Sequence, residues 1–256
     1  MAREESQRPN LIAKSRGKLR WIERFQMGLV RRSYEPGLLA DGFQWMQDKF
    51  GRHWIHLVTR NLHQLHHLDR VPQLAKSESF ILVANHRSFF DLYVVTAELL
   101  ARGVRQRMVF PVRSNFFYDN PLGLVINGVM SGFAMYPPIF RDRKRAFLNT
   151  LAMEELVWLL KQGGHFVGFH PEGTRNTGDP YELLPVRSGI GKIIQNARVP
   201  VIPVFINGLL ADDIKRQVIS NFDGTGTPIH SVFGAPIDYG DLLDQPSTPA
   251  LHKRIA

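Results

Sequence analysis

Apolar positions along the chain change their period once, and the change divides it. In residues 18–32, KLRWIERFQMGLVRR, Leu19, Ile22, Phe25 and Leu29 recur every three or four positions, which predicts a short amphipathic helix with arginines on its other face. Pro36-Gly37 marks a turn within 33–39. Helical spacing resumes over 41–68 with Phe43, Met46, Phe50, Trp54, Leu57, Val58, Leu62 and Leu65, predicting one long helix that forms a hairpin with the first. Beyond residue 79 short β-rich runs take over, at 79–84, 108–112, 165–169 and 201–206, with a weaker one at 231–237. Helical stretches fall between them, near 90–102, 144–162 and 187–197. Strands alternating with helices predict an α/β fold, a largely parallel central sheet flanked by helices. The expected organisation is a basic flexible tail at 1–17, an amphipathic, membrane-associated helical segment at 18–70 and an α/β domain at 71–256. There is no internal repeat, and Lys253-Arg254-Ile255-Ala256 carries no clear terminal element, as in a truncated chain.

Charge alters this picture more than composition does. Thirty-two Lys and Arg face 23 Asp and Glu, a net charge of +9, which favours nucleic acid, anionic lipid or phosphorylated substrates without choosing among them. Residues 1–35 alone hold nine basic side chains against four acidic ones. With Trp21 beside the apolar stripe of 18–32, that segment suits either a helix lying on an anionic bilayer or one docked on its own domain. No cysteine is present, which excludes disulfides, a catalytic thiol and thiolate metal sites. The polar N-terminus has no secretory h-region, and no apolar run long enough to span a bilayer is free of charges and turns. Residues 116–140 come closest, interrupted by Asn120-Pro121 and Pro137-Pro138.

Two clusters can carry chemistry. Asn85-His86-Arg87-Ser88-Phe89-Phe90-Asp91 directly follows the strand at 80–84, and in open α/β sheets ligands gather at the carboxyl ends of strands. Ser88 can cap the next helix, and Asp91, in its first turn, can reach back to one nitrogen of His86 and leave the other free as a base. A hydrogen-bonded histidine beside a capping aspartate explains the same residues. The second cluster, His170-Pro171-Glu172-Gly173-Thr174-Arg175-Asn176, follows the strand at 165–169. Gly173 permits close backbone approach, Thr174 adds a hydroxyl, Arg175 offers a planar fork for phosphate oxygens, and Glu172 can orient that arginine. Alone, it reads more readily as a polar turn.

In order, Asn85-His86-x4-Asp91 and Pro171-Glu172-Gly173-Thr174-Arg175 resemble the HxxxxD glycerolipid acyltransferases typified by 1-acylglycerol-3-phosphate acyltransferase. Tyr136-Pro137-Pro138-Ile139-Phe140-Arg141 resembles that family's arginine-ended second block, and Val199-Pro200-Val201-Ile202-Pro203-Val204 its fourth; the blocks span about residues 79–207. The resemblance implies that His86 is the general base and Asp91 its partner, and that Glu172, Gly173, Thr174 and Arg175 bind the acceptor's phosphate and glycerol. It implies phosphate contacts from Arg141 or Arg143, a basic residue near the reacting carbonyl at Arg113, and an acyl pocket shaped by Pro203. His170 and Asn176 depart from its pattern, which often has an apolar residue first and serine last.

The implied reaction moves a fatty acyl group from an acyl thioester, of coenzyme A or acyl carrier protein, to a phosphate-bearing lipid acceptor. Lysophosphatidate is the first candidate; glycerol-3-phosphate or another lysolipid remains open, since His86-Arg87-Ser88 also resembles the branch acylating such acceptors. It implies no cofactor and no metal. With no cysteine, Gly-x-Ser-x-Gly elbow, P-loop or complete dinucleotide fingerprint, direct attack assisted by histidine is the simplest route. Residues 116–140 then lie against the bilayer or along the acyl chain, or are plain core, and the expected location is peripheral or monotopic on the cytoplasmic face. His63 and His67, four apart on the expected long helix, could share a metal, but no acidic partner completes the pattern. The rival reading is a non-catalytic basic protein binding membrane or nucleic acid; the basic segment lacks the exposed aromatic interleaving that nucleic acid favours.

Overall fold

The computed structural model describes residues 7–15, 17–209 and 213–256. In chain order its elements are α1 (Trp21–Arg32), α2 (Leu38–Met46), a π turn (Gln47–Gly51), α3 (Arg52–Thr59), β1 (His63–His66), β2 (Phe80–Ala84), α4 (Asp91–Ala101), β3 (Arg107–Arg113), α5 (Ser114–Phe117) and α6 (Pro121–Ser131). There follow β4 (Met135–Ile139), α7 (Leu148–Gln162), β5 (His165–Phe169), α8 (Ser188–Ala197), β6 (Val201–Asn207), α9 (Ile214–Asp223), β7 (Ile229–Phe233) and α10 (Pro249–Ile255). The strands form one sheet in the order β1-β7-β6-β2-β5-β3-β4, parallel throughout except for the β6–β7 pair. The expected α/β architecture is therefore what forms. β2 lies in the middle because FILVA is apolar at every position, as a strand covered on both faces requires. Phe80, Ile81 and Leu82 lie in the core with Phe166 and Val167 of β5 and Val201 and Ile202 of β6. α7 closes one face with Leu148, Ala152, Leu156 and Leu159, a helical stripe fully removed from solvent.

Four expectations are corrected. The helix expected over 41–68 ends at Thr59, and His63–His66 is an edge strand parallel to β7. Leu62 and Leu65 prolonged the helical period, but Asn61 is clasped by Asn221, its N–H donating to Oδ1 at 3.0 Å and its Nδ2 to the carbonyl at 2.9 Å, and the chain leaves the helix there. His63, His66 and His67 thus share no helix face, and His63 donates to or accepts from Ser231 Oγ at 2.9 Å. The sheet consequently includes His63–His66, ahead of the boundary expected at 71. The tail expected at 1–17 is docked where it is described: Leu11 is buried, and Arg8 Nε donates to the buried Glu155 at 2.7 Å. Residues 1–6 and Arg16 lie outside the described residues. The C-terminus forms α10, capped by the Thr248 side chain and buried through Leu251 and Ile255 against α8. The weak strand expected at 231–237 spans Ile229–Phe233, starting two and ending four residues earlier, short of Pro236, which cannot donate to a ladder.

The N-terminal helices dock on the domain rather than mainly on each other: α1 against β4, and α3 against α4 and α9. α1 is also rotated from the expected face. It buries Glu23, Gln26, Met27 and Val30, because Glu23 takes a 2.6 Å ion pair from Arg145 and Gln26 donates to the Asn120 carbonyl at 2.8 Å. Trp21 and Phe25 are left exposed.

The stretch 116–140 resolves into α5, α6 and the edge strand β4, which tolerates Pro137-Pro138 because one side needs no partner. α6 is inverted. Its inward face is Gly123, Asn127, Gly128 and Ser131, while Leu122, Val125 and Val129 point outward. A Cβ at Gly123 would stand 2.4 Å from the Phe117 carbonyl oxygen, so only glycine fits. α2, which packs on α6, exposes Leu38 and Trp45. The outer face of α6 is apolar and carries no charge, which is foreign to a helix facing water. Among the described residues no helix is long and apolar enough to cross a membrane.

Candidate active site

The site begins where β2 stops. Asn85 ends the strand by turning its amide onto β6, donating to the Ile206 carbonyl at 2.8 Å and accepting from the Ile206 N–H at 2.7 Å. This pins the backbone just before His86. Asp91, fully buried at the start of α4, then reaches back: Oδ2 accepts from the N–H groups of Arg87 (2.7 Å) and Ser88 (2.9 Å) and lies 3.1 Å from His86 Nδ1. A carboxylate oxygen only accepts, so Nδ1 carries the proton and Nε2 keeps its lone pair. The cap expected from Ser88 is replaced by this reach; Ser88 Oγ instead accepts from the Phe90 N–H, and Phe90 holds the cap position.

The second cluster arrives on β5, the parallel neighbour of β2, so residues 84 apart in sequence meet. His170 lies flat on His86, ring centroids 4.0 Å apart at 12°, and its Nδ1 donates to the Ala84 carbonyl at 3.0 Å. Burial, then the neighbouring His86, holds His170 down to about 4, so it is neutral near pH 7. Nitrogens of His86 and His170 and an Asp91 oxygen lie within 4.8 Å of one another. Near-parallel rings send their lone pairs out side by side rather than toward one point, which does not fit a tetrahedral ion. Asn176 ties the loops together, its N–H donating to the His86 carbonyl at 2.7 Å.

Glu172 is almost wholly buried beside them, and burial raises its pKa against the opposing effect of hydrogen bonds from the His86 and Leu184 backbone. Gly173 has φ +66, a left-handed conformation, and its carbonyl accepts from Arg141 at 3.0 Å. Of the two arginines the second block offers, Arg141 is thus the one that reaches the third block; Arg143 is exposed, as is Thr174, and Arg175 is half-buried. Partial burial, then Arg113 and Arg187, lower the Arg141 pKa, so three guanidinium groups crowd one mouth. Arg187 escaped the sequence reading. Its N–H donates to the Pro171 carbonyl at 2.7 Å and its side chain lies against Gly173. Its place just ahead of α8, at the end of the loop that opens with the second cluster, was the available signal.

Residues 61–207 match the family model described as Acyltransferase. Human 1-acyl-sn-glycerol-3-phosphate acyltransferase beta is 27% identical over 134 residues, 52% of this chain and 42% of that protein, so the match spans less than half of that relative's length. The crystal structure of the 1-acyl-sn-glycerophosphate (LPA) acyltransferase PlsC from Thermotoga maritima aligns with a TM-score of 0.53 at 21% identity, covering 90% of this chain and 83% of that one. The likeness is one of fold.

Proposed function

The chain belongs to the acyltransferase family, and from that premise we propose that it transfers a fatty acyl group from an acyl thioester to a hydroxyl of a phosphate-bearing glycerolipid, 1-acylglycerol-3-phosphate first among candidates. One observation carries this reading: the His86–Asp91 pair shares the carboxyl ends of β2 and β5 with the loop of Glu172 and Gly173, on which Arg141 and Arg187 meet. His86 Nε2 removes the acceptor hydroxyl proton as the oxygen attacks the thioester carbonyl. The tetrahedral intermediate expels the thiolate, which takes the proton back from His86. Asp91 holds the tautomer and the transient imidazolium, and the step as written needs no cofactor.

The guanidinium cluster, with Arg175, Glu172, Gly173 and Thr174, is assigned to the acceptor's phosphate and glycerol. Arg141→Ala and Arg175→Ala are each expected to raise the acceptor KM about tenfold or more, as loss of a charge-assisted hydrogen bond does, with little change for the thioester. Lysine at either position restores part, since an ammonium lacks the fork. Equal loss toward both substrates would assign these arginines to structure. The decisive assay mixes purified protein, acyl-coenzyme A or acyl carrier protein, and lysophosphatidate, glycerol-3-phosphate or another lysolipid in mixed vesicles. A product carrying one more acyl chain than the acceptor is expected, a diacyl phosphate where lysophosphatidate is used; transfer to none of these acceptors refutes the reading.

The lipid substrates and the inverted α6 support a peripheral or monotopic seat on an anionic membrane, with the outer faces of α1, α2 and α6 in the headgroup region. Val125 is exposed, so Val125→Glu is expected to leave the thermal midpoint unchanged and to weaken cosedimentation with anionic vesicles about tenfold. Undiminished binding would move the contact elsewhere. The arginines gather around the histidine site rather than along an element with interleaved aromatics, so a lipid phosphate is favoured over nucleic acid.

A further inference from the structure

His170 stands where the family's third block often has an apolar residue, and the proposed chemistry leaves it without a part. Its position is nonetheless tightly specified. The Nδ1 bond to the Ala84 carbonyl ties it to the last residue of β2, two positions before His86, while its own backbone continues β5. Its ring therefore rests on the two central strands, and the His86 ring rests on it at 4.0 Å. Among the described residues the His86 ring has one other polar contact, that of Nδ1 with Asp91. About a single hydrogen bond a ring can swing; against a flat neighbour it cannot.

We propose that His170 is a positioning residue, which fixes the ring plane of His86 so that Nε2 faces the acceptor hydroxyl and offers its π face to the imidazolium formed during acyl transfer. This rests on the reading of His86 as the base. A neutral aromatic face attracts a cation lying over it, whereas a second cation would repel it. The groups that bear on His170 are His86 from the β2–α4 loop, Asp91 from α4 and the backbone of Ala84 and Asn85 at the end of β2. Its burial keeps it neutral while His86 takes the proton. The platform thus strengthens as the transition state forms, which raises kcat rather than binding.

The test compares His170→Phe, which keeps a flat ring, with His170→Asn, which keeps a donor for the Ala84 carbonyl but no ring. His170→Leu serves if the asparagine variant does not fold. Each is assayed for kcat, KM of both substrates and the pH dependence of kcat/KM, with thermal unfolding alongside. His170→Phe is expected to stay within about threefold of the parent in kcat, with the acid limb in place. The non-aromatic variant is expected to lose about tenfold in kcat with both KM values unchanged, the scale of a slightly misplaced base. Its acid limb moves to lower pH, since the imidazolium has lost its support. An unchanged kcat without the ring, an equal loss with phenylalanine, or a loss confined to KM overturns the proposal. His86→Ala is the control: if it remains active, the reading of the base has failed; if it is inactive while the ringless variant is normal, only the role of His170 has.

Discussion

Replacing His86 with alanine is expected to lower kcat by about 10²- to 10⁴-fold while the protein keeps its fold. The size follows from the chemistry. An alcohol is a poor nucleophile at neutral pH, the guanidinium groups cannot accept a proton, and Asp91 is buried behind the histidine. The neutral ring of His170 is a poor substitute, since burial holds it down to about 4 and its Nδ1 rests on a carbonyl rather than a carboxylate. The fold is expected to survive because His86 is not itself a core residue, and Asp91 retains two backbone donors, Arg87 N–H and Ser88 N–H, when the ring is gone. Loss should appear in kcat, with KM for both substrates nearly unchanged. Steady-state rates with a thermal midpoint measured on the same preparation decide it; near-parental kcat in a folded variant refutes the mechanism.

Asp91→Asn is expected to cost about 10²-fold or more in kcat, through a different atom. Oδ2 gathers two backbone N–H groups and His86 Nδ1. An asparagine that turns its oxygen to the backbone donors loses the charge that steadies the imidazolium. One that turns its NH2 to His86 forces Nδ1 to accept, which moves the ring proton to Nε2 and abolishes the base. Either way the turn before α4 loses a charge-assisted cap, so stability should fall by about 1–2 kcal/mol. The two losses are separable, since the stability loss leaves the folded fraction near one while kcat drops by orders of magnitude. A variant whose kcat fell only in proportion to unfolded protein would make Asp91 a cap and no more.

The sheet and the His86–Asp91 pair were legible because each rests on a local pattern. Residues 80–84 are continuously apolar, which suits only a covered strand or buried helix, and the cluster after them places a carboxylate in the first turn of a helix. The edge strand His63–His66 was illegible because Leu62 and Leu65 satisfy two periods at once, and what decides between them is Asn221, some 160 residues distant. α1 was misoriented for a related reason. Helical periodicity identifies an apolar face but not whether protein or lipid covers it, and Glu23 found its partner in Arg145. Arg187 and the stacking of His170 on His86 follow from strand adjacency, which no linear motif records.

That adjacency bears on how the protein comes to be. β2 spans residues 80–84, yet its two neighbours are residues 166–169 and 201–204. His86 therefore has no ring stacked on it until a crossover of some eighty residues has closed, and Asn85 has no clasp until β6 is added. During synthesis His86 leaves the ribosome long before either partner strand, and the helices between them can form first, since local contacts close faster than distant parallel pairings. A growing chain thus holds helix and motif without an active centre, and becomes an enzyme only when its middle strand is enclosed from both sides.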